Sequence, residues 1–403
     1  MSPQPGWAAR RAALVLPTGV HNQVLFVLVI VAAAAVAVSG FVGDAPNRLV
    51  SGRPIPLWSA ADAPMTAGIA VCGAALSAAC LMRSSRPRDC AVAVLAAVLL
   101  LLVLAAAGQA ASLLAQSGKP ASRISLGPAF WVLASCAALA VGDALQRLGA
   151  GIVVQAGAVV AIVSGVLLLT ASGTFDALSL VREFEIRRQT FADAVMRHVS
   201  LVGTSVGIAA FIGFPLGVVV ARRPSLQNPV FAVLNILQTI PSIALFGLLI
   251  VPLSALVSAV PRLAEYGVGG IGVTPAIIAL VLYALLPVVR NTSVGLVGVD
   301  SAAIEAGRGM GMSPGQIFRK IELPLALPVL LAGLRIVTVQ AIGLAVVAAL
   351  IGAGGLGTFV FEGLGQYAVD LVLLGALPAI FLALAADFML QILTTMLRRR
   401  FAR

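Results

Sequence analysis

The chain has 403 residues, of which 60% are hydrophobic and 10% are charged, and its mean hydropathy is +1.08. A soluble domain carries about 25% charged residues, so this composition excludes an ordinary soluble protein and places most of the chain in lipid. The net charge of +11 is explained first by cytoplasmic loops facing anionic lipid, since no basic and aromatic surface favours nucleic-acid binding.

Stretches of about 20 apolar residues, the length that a helix needs to cross a bilayer, recur along the chain. The first run, Val24 to Val42, is longer than the core of an ordinary signal peptide and is interpreted as a retained span. We therefore predict an all-α polytopic membrane protein of about ten transmembrane helices, near residues 23–42, 64–82, 91–115, 128–146, 150–171, 199–221, 229–253, 273–290, 328–351 and 371–396. Ten spans put both termini on one side. The larger share of the basic residues falls in the inside loops when that side is the cytoplasm.

A charged segment divides these spans into two groups of five. Apolar residues recur at helical spacing across 180–198 with charges between them, which predicts an amphipathic helix on the outer membrane surface. They are Leu180, Phe184, Phe191 and Val195, followed by Val199. This helix is either a connector resting on lipid or a contact for an outside partner. The predicted organisation is an amino-terminal membrane region at 1–172, the connector at 173–198, and a second membrane region at 199–403.

Between the eighth and ninth predicted spans lies a polar segment, 300–324, which the orientation places in the cytoplasm. Asp300 is a good N-cap residue, and the stretch from Ser301 to Ala306 favours a helix. Gly311 stands where a left-handed C-terminal cap would end that helix.

A second short helix is predicted directly after this turn. Ser313 is its N-cap, Pro314 its first residue, and Gln316 completes a capping-box arrangement. The helix is expected to run to about Glu322 and to be terminated by Leu323-Pro324. The local rules therefore predict a helical hairpin, which can transmit rigid-body motion.

The hairpin has the pattern E-A-x-x-x-x-G-x9-I-x-L-P, which resembles the cytoplasmic loop by which permease subunits of ABC importers grip their ATPase. Gly307 stands where the family usually has a second alanine, and a glycine costs a helix roughly 0.8–1 kcal/mol. The resemblance assigns ATPase coupling to Glu305, Ala306, Gly307, Gly311, Ile321, Leu323 and Pro324.

Three further segments, Gln238 to Phe246, Tyr283 to Thr292 and Ile351 to Gly357, look like the betaine and choline branch of these permeases. The resemblance covers roughly residues 199–397. It implies that the last five spans form a type I ABC importer permease core in a bacterial cytoplasmic membrane, importing osmoprotectants such as glycine betaine or choline. An extended amino-terminal half of this sort is similar to that of a subgroup of osmoprotectant permeases, although spans 1–5 match no motif of their own.

The chain is expected to have no catalytic residue, no metal and no cofactor of its own. It lacks G-x-x-x-x-G-K-[S/T], and the G-x-G-x-x-G at 352–357 follows a membrane span without a βαβ unit, so neither pattern indicates nucleotide binding. The resemblance implies an ABC ATPase dimer that holds ATP and Mg²⁺, a second permease copy or a sister permease, and a substrate-binding protein outside the membrane.

Polar residues and prolines within the later spans are candidates for the translocation path, because polar groups in lipid usually face the bundle interior or a water path. The alternative is that they only join neighbouring helices. The candidates are Gln238, Thr239, Pro241, Ser242, Tyr283, Pro287, Asn291 and Gln340.

Arg335 and Asp387 are charges that lie at comparable depth inside the last two spans, and we predict that they pair, because an isolated charge in lipid is costly. The alternative is that Arg335 reaches the inner surface and Asp387 faces water. Two other functions stay open: an ABC permease for another small solute, such as an amino acid or other amine, and an ion-gradient-driven transporter that would use this pair for coupling.

Overall fold

The computed structural model describes residues 20–47, 52–117 and 122–401. Residues 1–19, 48–51, 118–121 and 402–403, which the predicted membrane regions 1–172 and 199–403 include, lie outside the described residues. The chain divides into two compact units, Met1–Arg182 and Glu183–Arg403. This division falls inside the predicted connector, 173–198.

The first unit is a helical bundle with a small sheet. Its elements are α1 (Gln23–Val38), β1 (Val42–Ala45), β2 (Arg53–Ile55), α2 (Leu57–Ala60), α3 (Ala63–Leu81), α4 (Arg86–Ser117), β3 (Arg123–Leu126), α5 (Pro128–Arg147) and α6 (Ile152–Ala171), followed by α7 (Ser179–Ile186), which continues into the second unit.

Small side chains let the helices of the first unit pack closely. Ala96, Ala106 and Ala110 of α4 are buried against α5, where Ala137 and Ala140 are buried in turn. Helix α6 has no buried residue among those described, as expected for a helix that contacts lipid.

The three-stranded antiparallel sheet was not predicted from the sequence. Its order is β2-β1-β3, with Val42 opposite both Ile55 and Leu126. The chain passes very close to itself beside β1, because a Cβ on Gly127 would lie 2.3 Å from the carbonyl oxygen of Gly40. Strands this short gave no alternating pattern, so only their pairing identifies them.

The second unit is helical throughout its described residues. Its elements are α8 (Arg188–Arg222), α9 (Pro224–Thr239), α10 (Ser242–Ala259), α11 (Arg262–Glu265), α12 (Val273–Val297), α13 (Ser301–Gly309), α14 (Pro314–Ile317), α15 (Leu323–Val347), α16 (Gly357–Gly365) and α17 (Val369–Phe401). A π-helical turn, Phe318–Glu322, joins α14 to α15, and a 3₁₀ turn, Ala348–Ile351, follows α15.

The fold is that of a polytopic α-helical membrane protein, as predicted. Nine helical segments of the described residues are long and apolar enough to cross a membrane, and α1, with 16 residues, is a shorter apolar helix at the first predicted span. The seventh predicted span, 229–253, is not one helix. It is divided at Ile240 and Pro241 into α9 and α10, because proline cannot donate the next helical hydrogen bond.

The segment predicted as one amphipathic surface helix, 180–198, is also divided in the structure. Its first part is α7, and its second part is the beginning of α8, which runs unbroken through the next predicted span. The two parts meet at Arg187, and the rings of Phe184 and Phe191 pack edge to face across the break with centroids 5.1 Å apart.

Helix α12 is the most buried of the membrane-length helices in the described part of the chain. Helix α8 packs against it through two glycines, since a Cβ on Gly213 would lie 2.6 Å from Val288 and one on Gly217 would lie 2.5 Å from Thr292. Small residues four apart bring the helix backbones together in lipid, so Gly213-x-x-x-Gly217 is a signal that the sequence reading missed.

The run Gly352–Gly357 makes a tight turn between α15 and α16. Gly352, Gly354 and Gly355 have φ of 79°, 80° and 83°, a region that favours glycine. The turn is held to the start of α12, where the Gly272 N–H donates to the Ile351 carbonyl at 2.7 Å.

Candidate functional site

The cytoplasmic segment 300–324 begins as a helix with both ends capped. The Asp300 side chain accepts a hydrogen bond from the Ala302 N–H at 2.9 Å. At the other end of α13 the Gly311 N–H donates to Arg308 and the Met312 N–H donates to Gly307, and Gly311 has φ of 77°. These two bonds and the left-handed glycine form the C-terminal cap known as a Schellman motif.

The second half of the hairpin has the predicted capping box. The Gln316 N–H donates to Ser313 Oγ, and the Ser313 N–H donates to Gln316 Oε1 at 2.8 Å. The prediction that Leu323-Pro324 ends this helix is wrong. Helix α14 continues through the π-helical turn into α15, because the Leu323 N–H reaches back five residues to the Phe318 carbonyl. This wider turn accommodates Pro324, which has no N–H to donate.

The hairpin has one buried face and one exposed face. Gly307 and Ile317 are buried, and a Cβ on Gly307 would lie 2.6 Å from Ile321 Cδ1, so α13 lies directly on the following turn. Glu305 and Ala306 lie on the exposed side. The seven residues assigned to ATPase coupling therefore include both a packed set and a surface set.

The exposed side continues across the helix end through Gly309, Met310 and Gly311, and Met310 is 70% exposed. This exposed side combines apolar and polar residues on capped helices, and such a surface can fit a cleft on a partner protein.

An ion pair that the sequence reading did not anticipate lies at the base of the hairpin. Arg222 Nη1 donates to Glu322 Oε1 at 3.0 Å, and Arg222 Nη2 bonds the other carboxylate oxygen. Glu322 is buried, and the guanidinium carbon of Arg222 lies 5.9 Å from the centre of the Phe318 ring. The family pattern does not indicate this pair, because Glu322 occupies the unspecified position in I-x-L-P. The signal in the sequence that could have indicated it is an acidic residue immediately before an apolar span.

Two of the candidate path helices are joined by a pair of reciprocal hydrogen bonds. Gln238 Nε2 donates to the Tyr283 carbonyl at 2.7 Å, and the Tyr283 hydroxyl donates to the Ile240 carbonyl. Pro287 has no N–H to donate to the Tyr283 carbonyl, four residues earlier, and Gln238 supplies that bond instead. The Ile240 carbonyl lies at the break before Pro241. The side chains of Gln238 and Tyr283 thus each donate to a backbone carbonyl of the facing segment that lies next to a proline-induced break in the helical hydrogen bonds.

The other candidate path residues lie apart from this pair. Thr239 Oγ1 donates to Ile236 of its own helix at 2.7 Å, while Ser242 is the first residue of α10. Asn291 packs against α15, where a Cβ on Gly333 would lie 2.5 Å from the Asn291 Cβ. Gln340, on α15, is half-buried. The structure thus groups Gln238, Tyr283 and the two prolines, but it does not bring all eight candidates together.

Arg335 of α15 and Asp387 of α17 lie in contact. Arg335 Nη2 donates to Asp387 Oδ2 at 2.5 Å, and Arg335 Nε bonds Oδ1, which makes a two-point ion pair. Their side chains are 36% and 33% exposed, so the pair is only partly covered by the chain itself. In residues 20–47, 52–117 and 122–401, no group of three His, Cys, Asp or Glu side chains is placed to hold a metal ion.

Comparison with known families matches both parts of the chain. Residues 21–181 match a family model described as "ABC transporter permease YehY, N-terminal domain", and residues 213–403 match "Binding-protein-dependent transport system inner membrane component". The first match lies within the unit Met1–Arg182, and the second lies within the unit Glu183–Arg403.

Curated relatives match about half of the chain. The chain is 43% identical to the osmoprotectant import permease protein OsmW of Salmonella typhimurium over 206 residues, which are 51% of this chain and 91% of that protein. It is 43% identical to the carnitine transport permease protein OpuCB of Listeria monocytogenes over 192 residues (48% and 80%). It is 37% identical to the choline transport system permease protein OpuBB of Bacillus subtilis over 195 residues (48% and 82%).

Among solved structures, the chain is similar to one described as an inward-facing conformation of the MetNI methionine ABC transporter. The identity is 26% and the TM-score 0.47, with 53% of this chain and 98% of that chain covered.

Proposed function

Because the chain belongs to the family of inner-membrane components of binding-protein-dependent transport systems, the permease subunits of ABC importers, we propose that it imports quaternary-amine osmoprotectants. The observation that carries this proposal is the 43% identity to an osmoprotectant import permease over 91% of that protein. Further relatives are named for carnitine and for choline, which share a quaternary ammonium group. The proposed substrate class is therefore glycine betaine, choline, carnitine and related small amines.

The energy source in this proposal is a separate ATPase dimer that docks on the exposed side of the hairpin. Residues Glu305 and Ala306 would enter a cleft on the ATPase, and the contact between the buried Gly307 and the half-buried Ile321 would keep the hairpin rigid as it is pushed. The chain itself would bind no ATP. The hairpin would then lie in the cytoplasm, as would both termini.

The remaining partners are inferred from membership of the same transporter family. Two permease chains, identical or related, would enclose the path, and a binding protein outside the membrane would deliver the substrate. Only 5% of the residues are aromatic, while recognition of quaternary ammonium groups usually requires an aromatic cage. Substrate affinity would therefore lie mainly in the binding protein. The path would run near Gln238 and Tyr283, with Arg335 and Asp387 holding the last two helices together.

The proposal is tested by purifying the tagged chain from its native membrane in mild detergent, beside an Ala306→Arg variant and an Ala264→Arg control. Both alanines are exposed and lie in helices, but Ala264 belongs to α11 on the side predicted to be external. We expect an ABC ATPase to accompany the wild type and the Ala264→Arg protein, and to be lost from the Ala306→Arg protein.

Substrate is then tested by uptake of labelled glycine betaine, choline, carnitine and a neutral amino acid in cells that lack other osmoprotectant importers. Uptake of a quaternary amine that requires the ATPase and survives collapse of the ion gradients is the expected result. Uptake abolished by collapsing the gradients while ATP is maintained would favour the ion-driven alternative. Uptake of the amino acid alone would overturn the substrate class.

A further inference from the structure

The ion pair between Arg222 and Glu322 joins two elements that no helical hydrogen bond connects. Arg222 lies in the last turn of α8, and Glu322 is the final residue of the π-helical turn at the base of the hairpin. The guanidinium meets the carboxylate at both oxygens, with Nη1 to Oε1 at 3.0 Å. Two-point contacts of this kind fix orientation as well as distance.

The position of Glu322 is unusual for a carboxylate. It is 4% exposed, beside an apolar cluster in which Leu296, Ala326 and Leu330 are buried and Phe318 and Leu323 are packed at the edge. The Arg222 side chain is 52% exposed, and an ion pair that is open to solvent on one side adds little stability, whereas removing Arg222 would leave the buried carboxylate without its partner. The presence of the pair at this junction is therefore better explained by the geometry that it imposes than by the stability that it adds.

The hairpin and Glu322 form one continuous rigid segment. Helix α13 lies on Ile321 through Gly307, the capping box holds the start of α14, and the π-helical turn leads directly to Glu322. A displacement of the exposed side of the hairpin therefore displaces the Glu322 carboxylate. Turns of this π-helical type occur frequently at functional sites.

On the other side of the pair, α8 leads to the proline-interrupted helices. One and a half turns before Arg222, Gly217 lies against Thr292 of α12 so closely that a Cβ would meet it at 2.5 Å. Helix α12 also carries Tyr283 and Pro287. A movement of the end of α8 is thus transferred by direct packing to the helix that bonds Gln238.

We propose that Arg222 and Glu322 are a positioning pair that transmits movement of the hairpin to α8, so that ATP hydrolysis on the partner drives substrate movement in the permease. This inference rests on the proposed function, because it requires an ATPase that pushes on the hairpin. Neither residue contacts the ATPase in this proposal; the pair acts between the docking surface and the path.

The test uses the full importer, with permease, ATPase and binding protein reconstituted in liposomes. Arg222→Gln, Arg222→Lys and Glu322→Gln are compared with the wild type and with Arg223→Gln, an adjacent exposed arginine that forms no ion pair within the described part of the chain. For each protein we measure ATPase retention, the ATP hydrolysis rate and substrate uptake.

We expect Arg222→Gln and Glu322→Gln to retain the ATPase and to hydrolyse ATP, while uptake per ATP falls about tenfold or more, as for the loss of hydrogen bonds to a charged group. Arg222→Lys, which keeps the charge without the two-point contact, should be intermediate. The exchanged protein, Arg222→Glu with Glu322→Arg, should recover part of the uptake, and Arg223→Gln should match the wild type.

Unchanged uptake per ATP in the Gln variants would overturn the inference. So would equal loss of hydrolysis and uptake with no recovery in the exchanged protein, because that result indicates a merely structural role. Failure of the wild type to retain any ATPase is a different outcome, since it would contradict the proposed function itself.

Discussion

At the scale of single residues, Gly307 shows that packing adds a contribution that helix propensity leaves out. A glycine within α13 was expected to loosen that helix relative to the alanine usual in the family. In the structure α13 is capped at both ends. Because Gly307 has no side chain, Ile321 packs so close to it that a Cβ at this position would lie only 2.6 Å from Ile321 Cδ1. The loss in helix propensity is therefore set against closer packing of the hairpin, an effect that no local rule contains.

Gln238 is the residue whose replacement gives the sharpest test of the proline-linked hydrogen bonds. Gln238→Leu removes the side-chain N–H that donates to the Tyr283 carbonyl, which Pro287 cannot bond because it has no N–H. We expect a loss of about 1 kcal/mol of stability, the scale of hydrogen bonds between membrane helices. The measurement is the midpoint of thermal aggregation of the detergent-purified protein, followed by size-exclusion chromatography.

Gln340→Leu is the matched control for this variant, since Gln340 is also half-buried in a helix of the second unit but forms no hydrogen bond within the part of the chain that the structure describes. Its midpoint should stay near that of the wild type. Equal midpoints for the two variants would show that the Gln238 bond contributes nothing measurable.

At the scale of the helices, the two last membrane-length elements of the second unit, α15 and α17, are joined by a partly covered ion pair. Arg335 and Asp387 meet at both carboxylate oxygens, yet each side chain remains about one third exposed to the surroundings of the chain. Surface ion pairs contribute little in water, but a lone charge within a membrane span is costly. The stability of a protein that lacks one of the two charges should therefore be compared with that of a protein that lacks both.

Single and double replacements of this pair make that comparison. Arg335→Leu and Asp387→Leu each leave one unpaired charge, and we expect each to lower the stability by about 1–3 kcal/mol. The double variant, with leucine at both positions, leaves no lone charge and should be more stable than either single variant. Thermal midpoints and the yield of monodisperse protein measure both effects. A double variant whose loss equals the sum of the two single losses would show that the residues do not interact.

At the scale of the whole molecule, the chain consists of two units with separate matches to known families. The family model of inner-membrane transport components matches residues 213–403, and 206 residues of this chain cover 91% of one permease relative. The hairpin, the Arg222–Glu322 pair and the proline-linked hydrogen bonds all lie within Glu183–Arg403. The second unit therefore contains the residues that the proposed function uses for docking and for the path.

Expression of the second unit alone tests this separation. We expect residues 183–403, inserted in the membrane by a fused leader span, to retain the co-purifying ATPase, because the docking surface and its packed supports belong to that unit. The amount retained should be within about twofold of that of the full chain, a difference of less than about 1 kcal/mol. Ala306→Arg in the shortened chain is the control and should abolish retention.

A shortened chain that is monodisperse but retains no ATPase would show that the first unit is required for docking. That result would give residues 1–182 a role in coupling that the match to an amino-terminal domain does not specify.

The features that could be predicted from the sequence are those that depend on composition and on short spacing. Apolar length predicted most of the spans, since the bilayer thickness fixes how many residues cross it. The caps at Asp300, Gly311 and Ser313 follow from hydrogen bonds within a few residues. The hairpin pattern and the neighbouring segments predicted the importer family, and the similarity to known permeases confirmed it.

The features that join distant residues depend on how the folded chain packs. Glu322 could not be paired with Arg222 from the sequence, because a hundred residues separate them and nothing local brings them together. The continuation of α14 into α15 depended on a turn wide enough to place Pro324, and the small sheet depended on pairing between strands too short to show a pattern. Local rules describe bonds that a segment makes with itself, whereas these features arise from the free energy of packing one segment on another.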